Sequence, residues 1–271
     1  MTTGRMKEIR VKADEFRQNC RVIRYGIANI FDECDRCGFR LVRYPIGADG
    51  VLGFAQIRDE DRIIFSNSSV RLSREIFTVA HEIGHLCLHL NSDGLYIDDA
   101  HTLSGRIGEE NEKEANYFAA CLLMPEDIIF KYISMENNVP GQWTSLDIAR
   151  MMTAFQVSFD MVLNRLQNLK QIDETTRVRL DNEKNLRKVT RLLQMTGGNS
   201  RLNISSNIKR VPSPYMDWVV YNYNHGVIPQ ETLEKSLQYF DITMDDISDA
   251  LHFVEREGEE DLDILIGGID D

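Results

Sequence analysis

The sequence predicts an α+β fold, with helices packed on a small antiparallel sheet and all-α modules after it. Three observations carry this. Three short β-prone runs lie between positions 39 and 65. The chain after about position 142 reads as successive helices. Between these regions, two helix-like stretches each place polar, chemically able side chains on an otherwise apolar face: His81 and His85 on one, Glu112 on the other.

Composition sets the bounds. A chain of 271 residues supports one sizeable core or two to three small domains. We expect a first domain over 1–138, a helix-turn-helix-like helical domain over 142–195, a linker over 196–214 and a small helical module with an acidic tail over 215–271. With 42% hydrophobic and 27% charged residues the composition is that of an ordinary soluble protein. There is no run of about 18 uncharged apolar residues, and MTTGRMKEIRVKADEF has no apolar signal region, so a cytoplasmic protein without a membrane partner is expected. Five scattered cysteines argue against a disulfide framework. Cys34 and Cys37 form a CxxC without a second pair, and a redox or structural-metal role is not favoured. The net charge is −12, and twelve acidic residues against one Arg fall between Asp241 and Asp271, an end that would repel a phosphate backbone.

Taken in order, Lys12 to Cys37 has helical spacing (Phe16, Cys20, Ile23, Ile27, Ile30, Phe31) and Gly38 is a plausible stop. Strands follow at Phe39 to Tyr44, Val51 to Ile57 and Arg62 to Phe65, the last two joined by a polar turn. An exposed edge of such a sheet can receive an extended peptide. Next comes His81-Glu82-Ile83-Gly84-His85, an HExxH in a helix with Ser73 able to cap it and Glu75 in its first turn. Residues four apart share a face, so His81 and His85 can turn imidazole nitrogens toward one zinc ion with Glu82 beside it. Ile76, Phe77, Ala80, Ile83 and Leu88 make this helix a buried one, and so many polar groups there would cost several kcal/mol unless paired or metal-bound.

Asn91 to Ile107 reads as a long polar connection. A second helix runs from about Glu110 to Pro125, with an apolar stripe through Ala115, Ala119, Leu122 and Leu123. Extending the stripe back one turn lands on Glu112, which would supply a third ligand. Asn116, one turn further on, is placed to hydrogen-bond the far nitrogen of a liganding His. Glu114 points about 200° away from Glu112 around the helix. His89 would be about 6 Å further along the first helix than its neighbouring His. The position ten residues after His81, where a third His would complete a different metal pattern, is Asn91. Tyr96, His101 and Tyr117 are candidates to stabilise an oxyanion, and the sequence does not choose among them.

Further on, Thr144 to Leu169 reads as helix, turn, helix. Its second helix offers few base-reading side chains beyond Asn164, Arg165, Gln167, Asn168 and Lys170, so DNA contact is possible but not favoured. The last unit combines Trp218 and Tyr221 on one helix with two more helices after Pro229.

HEIGH followed by Glu112-x-x-Ala115-Asn116-x-Phe118-Ala119-Ala120-x-Leu122-Leu123-Met124-Pro125 resembles the ImmA/IrrE family of zinc metallopeptidases, compact relatives of the gluzincins. Arg74-x-x-Phe77-Thr78 also fits that family's approach to its zinc helix. The resemblance covers about 11–133. It implies a gluzincin-like protease domain holding one Zn(2+) per chain, His81, His85 and Glu112 as ligands, and Glu82 as catalytic base. It further implies a protein substrate of the helix-turn-helix repressor class, cut in mobile-element or stress regulation. The competing expectation is a non-catalytic regulator binding a protein or DNA through its helical C-terminal half, with a structural or vestigial zinc site.

Overall fold

The computed structural model describes residues 1–58, 60–90, 94–97, 106–136 and 142–252. It divides into two compact units, Met1–Arg210 and Val211–Asp271.

The first unit opens with α1 (Thr3–Gln18), which buries Ile9, Ala13 and Phe16. The continuous helix expected from Lys12 to Cys37 is instead interrupted. A short hairpin of β1 (Val22–Ile23) and β2 (Gly26–Ile27) intervenes, turning through Arg24 at φ +48°, before α2 (Ile30–Arg36). Asn29 restarts the helix by accepting the Phe31 N–H, a local bond that competes with helix continuation.

The main sheet contains β3 (Phe39–Tyr44), β4 (Gly53–Arg58), β5 (Asp61–Asn67) and β6 (Gly94–Ile97) in the order β3-β5-β4-β6. The first three stand where the β-prone runs lie. β4 pairs antiparallel with β5 and with β6, whereas β3 runs parallel to β5, because β5 returns between β3 and β4. The stretch expected as connection therefore contributes a strand.

Across this sheet lies α3 (Leu72–Leu88), which buries Ile76, Val79, Ala80, Ile83 and Leu86. Its start differs from expectation. Ser73 sits inside the helix and Arg71 precedes it without a side-chain cap. The Leu72 N–H is instead satisfied by the Ile204 carbonyl. Glu75, fully buried in the first turn, takes both arms of the Arg43 guanidinium at 2.8 Å and accepts from Ser66 and Ser206. This anchors the helix to β3, β5 and the 200s segment together.

Packed on α3 is α4 (Arg106–Leu123), followed by α5 (Glu126–Met135), which starts after Pro125. Then come α6 (Ser145–Phe155), with a Thr144–Asp147 capping box, and α7 (Phe159–Asn168), joined to it through Gln156 at φ +57° and the cap Ser158. α8 (Glu174–Arg187), α9 (Val189–Met195) and a 3₁₀ turn (Ser200–Asn203) complete the unit. Residues 196–210, expected within a linker, belong to this first unit. Leu202 is fully buried, and Arg210 pairs its backbone with Arg43 and its guanidinium with Asp32 and Asp35.

In the second unit α10 (Ser213–Asn224) and α11 (Gln230–Gln238) bury Leu233 and Leu237, and the Tyr215 and Phe240 rings meet edge to face. No described helix is long and apolar enough to cross a membrane.

Candidate metal centre

The centre is built where α3 and α4 cross. A Cβ placed on Gly84 would lie 3.2 Å from the Ala115 Cα, 3.2 Å from a Phe118 ring carbon and 3.3 Å from the Ala115 carbonyl oxygen. Only a bare Cα lets the two helices come this close. About one turn before that contact α3 presents His81 and α4 presents Glu112, and His85 directly follows Gly84. His81 Nε2 and His85 Nε2 are 2.9 Å apart, with Glu112 Oε2 3.1 Å from the first and Oε1 3.2 Å from the second. The two histidines are buried, and the Glu112 side chain is 28% exposed, which leaves solvent access on its side.

The hydrogen bonds behind the rings decide what the inward atoms are. His81 Nδ1 faces the Asn116 amide oxygen at 3.2 Å. An amide oxygen only accepts, so Nδ1 carries the proton and the Nε2 lone pair points at Glu112. Burial pushes the Glu112 carboxyl up, but its contacts with His81 and His85 outweigh this and hold it well below the usual carboxylate range. Anionic oxygens and imidazole lone pairs gathered within 4.8 Å of one another call for a positive charge among them. Two imidazole nitrogens and one carboxylate suit a borderline divalent ion such as zinc. Ligand atoms on bonds of about 2.1 Å at tetrahedral angles stand about 3.4 Å apart. The observed separations need open by only a few tenths of an ångström, so the residues fit a metal.

Glu82, next to His81, is fully buried on the side of α3 that faces β4. A Cβ on Gly53 would lie 3.1 Å from Glu82 Oε1, 2.5 Å from Thr78 Cγ2 and 2.9 Å from the Phe65 carbonyl oxygen. The bare backbone at the start of β4 thus leaves room for Thr78 and Glu82, one turn apart on the same helix face. The rest of the β4 outer edge pairs with β6 from Phe54↔Ile97 to Ile57↔Gly94, so this edge is covered over that length.

The structure brings His81, His85, Glu112 and Asn116 together. Tyr117 is not among them: its hydroxyl has Cys121, Arg10 and Arg165 for electrostatic neighbours, and burial raises its pKa. Tyr96 lies on β6 opposite Ala55, with its side chain outside the described set, and His101 falls outside the described residues. Sequence reasoning missed the parts played by Gly53, Glu114 and Arg5. His89 Nδ1 is 3.0 Å from His85 Nδ1, its Nε2 is 3.1 Å from Glu114 Oε2, and Arg5 holds both Glu114 oxygens. The spacing of His89, four after His85, was a usable signal. Nothing local in the sequence points to Arg5.

Other chemically able groups are committed elsewhere. Cys34 is a fully buried free thiol whose pKa burial raises well above normal, and burial pushes the Cys20 thiol up to about 12. Neither is poised as a thiolate. On α7, Arg165 is buried and donates to the Met124 carbonyl, while Asn164 and Gln167 are tied to Arg177.

A family model falls on this same region. The model of the family Peptidase_M78, IrrE N-terminal-like domain, matches residues 34–167, which hold α3, α4 and every residue of the centre. The chain is 42% identical over 71 residues to the radiation response metalloprotease IrrE of Deinococcus radiodurans, covering 26% of this chain and 21% of that protein. It is 27% identical over 105 residues to an immunity region protein 2 of Bacillus phage phi105, covering 35% of this chain and 65% of that protein. The chain thus spans about a fifth of the first relative and just under two thirds of the second. Over residues 34–167, just under half of its length, the chain is thus similar to the IrrE N-terminal-like domain of the Peptidase_M78 family.

Proposed function

We propose that this chain is a zinc-dependent endopeptidase of the HExxH…E type. The observation that carries the reading is the convergence of His81 Nε2, His85 Nε2 and Glu112 on one point, with Glu82, the residue after His81, fully buried on the same helix. His81, His85 and Glu112 would hold the ion. Three protein ligands and a solvent-facing side suit a catalytic site, where a structural one closes with four. A zinc ion held there supplies Lewis-acid chemistry, polarising a carbonyl and acidifying water.

The chain's own residues do the rest. Glu82 Oε accepts the proton of the attacking water and delivers it to the nitrogen of the leaving amine. Asn116 Oδ1 fixes the ring of His81 and the nitrogen that carries its proton. Gly53 keeps the space in which the Glu82 carboxylate sits. A retained carboxylic base inside an apolar helix favours catalysis over a structural or vestigial site, which has no use for it.

For the substrate we propose a helix-turn-helix repressor. The support is the metallopeptidase family model that residues 34–167 match and the likeness to a phage immunity region protein. The C-terminal helices would serve protein contact rather than DNA reading, since Arg165, Asn164 and Gln167 are already bonded within the fold. The test is to incubate the zinc-loaded protein with the repressor encoded beside it and to follow both chains by mass spectrometry. A single new pair of repressor fragments, absent with Glu82→Gln, is expected. An intact repressor after prolonged incubation with zinc-loaded wild type would count against this substrate.

A further inference from the structure

We propose that the N-terminal helix α1, which lies before the matched domain, is part of the metal centre: Arg5, Glu114 and His89 form a positioning chain that sets which nitrogen of His85 faces the ion. This rests on the metallopeptidase reading above and adds residues to it.

The geometry allows a narrow set of proton assignments. Arg5 Nε donates to Glu114 Oε1 at 3.0 Å and its terminal nitrogen to Oε2 at 2.6 Å. Glu114 is therefore a carboxylate already neutralised by a two-armed partner. The same Oε2 lies 3.1 Å from His89 Nε2, and a carboxylate can only accept, so His89 carries a proton on Nε2. The His89 side chain is 5% exposed, and His85, if it offers Nε2 to an ion, carries its own proton on Nδ1. His89 Nδ1 is then the acceptor. That nitrogen is 3.0 Å from His85 Nδ1, which donates to it. With its proton on Nδ1, His85 turns an Nε2 lone pair toward His81 and Glu112, in the form a metal ion requires.

The chain of bonds begins on α1 and ends at the proposed ligand. α1 is itself held against the two metal helices. Lys12 donates to the Cys87 carbonyl on α3, Arg17 donates to the Leu122 carbonyl on α4, and Ile9 and Ala13 are fully buried. His81 receives the same service from within its own crossing, through Asn116. The two imidazoles are therefore fixed by different parts of the chain, and only the His85 arm depends on residues outside 34–167.

The test is zinc affinity by chelator competition on the full chain, for wild type, His89→Ala, Glu114→Gln, Arg5→Ala and Arg5→Lys. Losses of outer partners of a liganding His commonly cost about 10- to 100-fold in metal affinity. We expect that range for His89→Ala, Glu114→Gln and Arg5→Ala, with partial recovery in Arg5→Lys, which restores one charged donor. Lys113→Ala, an exposed change on the same helix, should bind as wild type. A second readout needs no metal: histidine-labelled ¹⁵N spectra of the metal-free wild type should show the His85 proton on Nδ1, giving way to a mixture of both forms in His89→Ala. Affinities within twofold of wild type in His89→Ala and Glu114→Gln, or a His85 proton on Nε2 in wild type, would overturn the proposal. If those variants bind normally while Glu112→Ala loses zinc, this inference fails alone. Failure of wild type to bind zinc would sink the metallopeptidase reading with it.

Discussion

Gly84→Ala puts one methyl group at the crossing on which the centre depends. In isolation the change favours α3, since Ala is better than Gly in a helix interior by about 0.8–1.0 kcal/mol. At this position the new Cβ meets the Ala115 Cα and a Phe118 ring carbon at 3.2 Å and the Ala115 carbonyl at 3.3 Å, each a few tenths of an ångström inside ordinary contact. Ala115 and Phe118 are both fully buried, so no loose side chain can swing aside. Overpacking of this kind costs about 1–3 kcal/mol, and the balance is a net loss of up to about 2 kcal/mol. The larger consequence is geometric. α4 must retreat by a few tenths of an ångström, comparable to the roughly 0.2 Å tolerance of metal–ligand distances, and it takes Glu112 with it. Urea unfolding of the metal-free variant should show the modest destabilisation, and chelator competition should show zinc affinity reduced by more than the fold alone explains. A variant more stable than wild type by the full helix-propensity gain, with unchanged zinc affinity, would refute the close-crossing argument.

Other outcomes follow from the same structure. Arg43→Met strands the fully buried Glu75 carboxylate and should destabilise the first unit by about 3–5 kcal/mol in urea titration. The Glu114 carboxyl is held below the usual range by Arg5 and, against the effect of burial, by His89. A depressed folded pKa adds stability that is complete above the unfolded value of about 4.3 and is lost as pH falls through the folded value. The stability gap between wild type and Glu114→Gln should therefore be flat above about pH 5 and shrink on acidification. Stripping zinc with a chelator should lower the unfolding free energy, and restoring zinc at about a hundred times its dissociation constant should return about 2.7 kcal/mol; His81→Ala should gain far less from added zinc.

Much of the site was readable because its elements are local. Both histidines and Glu82 lie within one turn and a half of a single helix, and the stripe from Ala115 to Leu123 points back at Glu112. The three strands at 39–67 also stand out, since period-two burial makes them distinct from the helices around them. What escaped the sequence is set by tertiary partners. The break in the helix after Gln18 depends on a two-strand hairpin too short for a periodic signal. The α3 start looked as if Ser73 capped it, because a carbonyl at Ile204, more than a hundred residues on, cannot be seen locally. The segment holding Leu202 and Arg210 has the composition of a linker, yet it is bonded to β3 and α2. Glu114 was set aside because it points away from Glu112 around the helix, and that same direction brings it to His89 and Arg5.

The most direct test of the central claim is elemental analysis of purified wild type, Glu112→Ala and Glu82→Gln. The account predicts about one zinc per chain in wild type and in Glu82→Gln, with a large loss in Glu112→Ala, since one carboxylate would hold the ion and the other would only move a proton. No zinc in wild type after reconstitution, or equal zinc in wild type and Glu112→Ala, would contradict it.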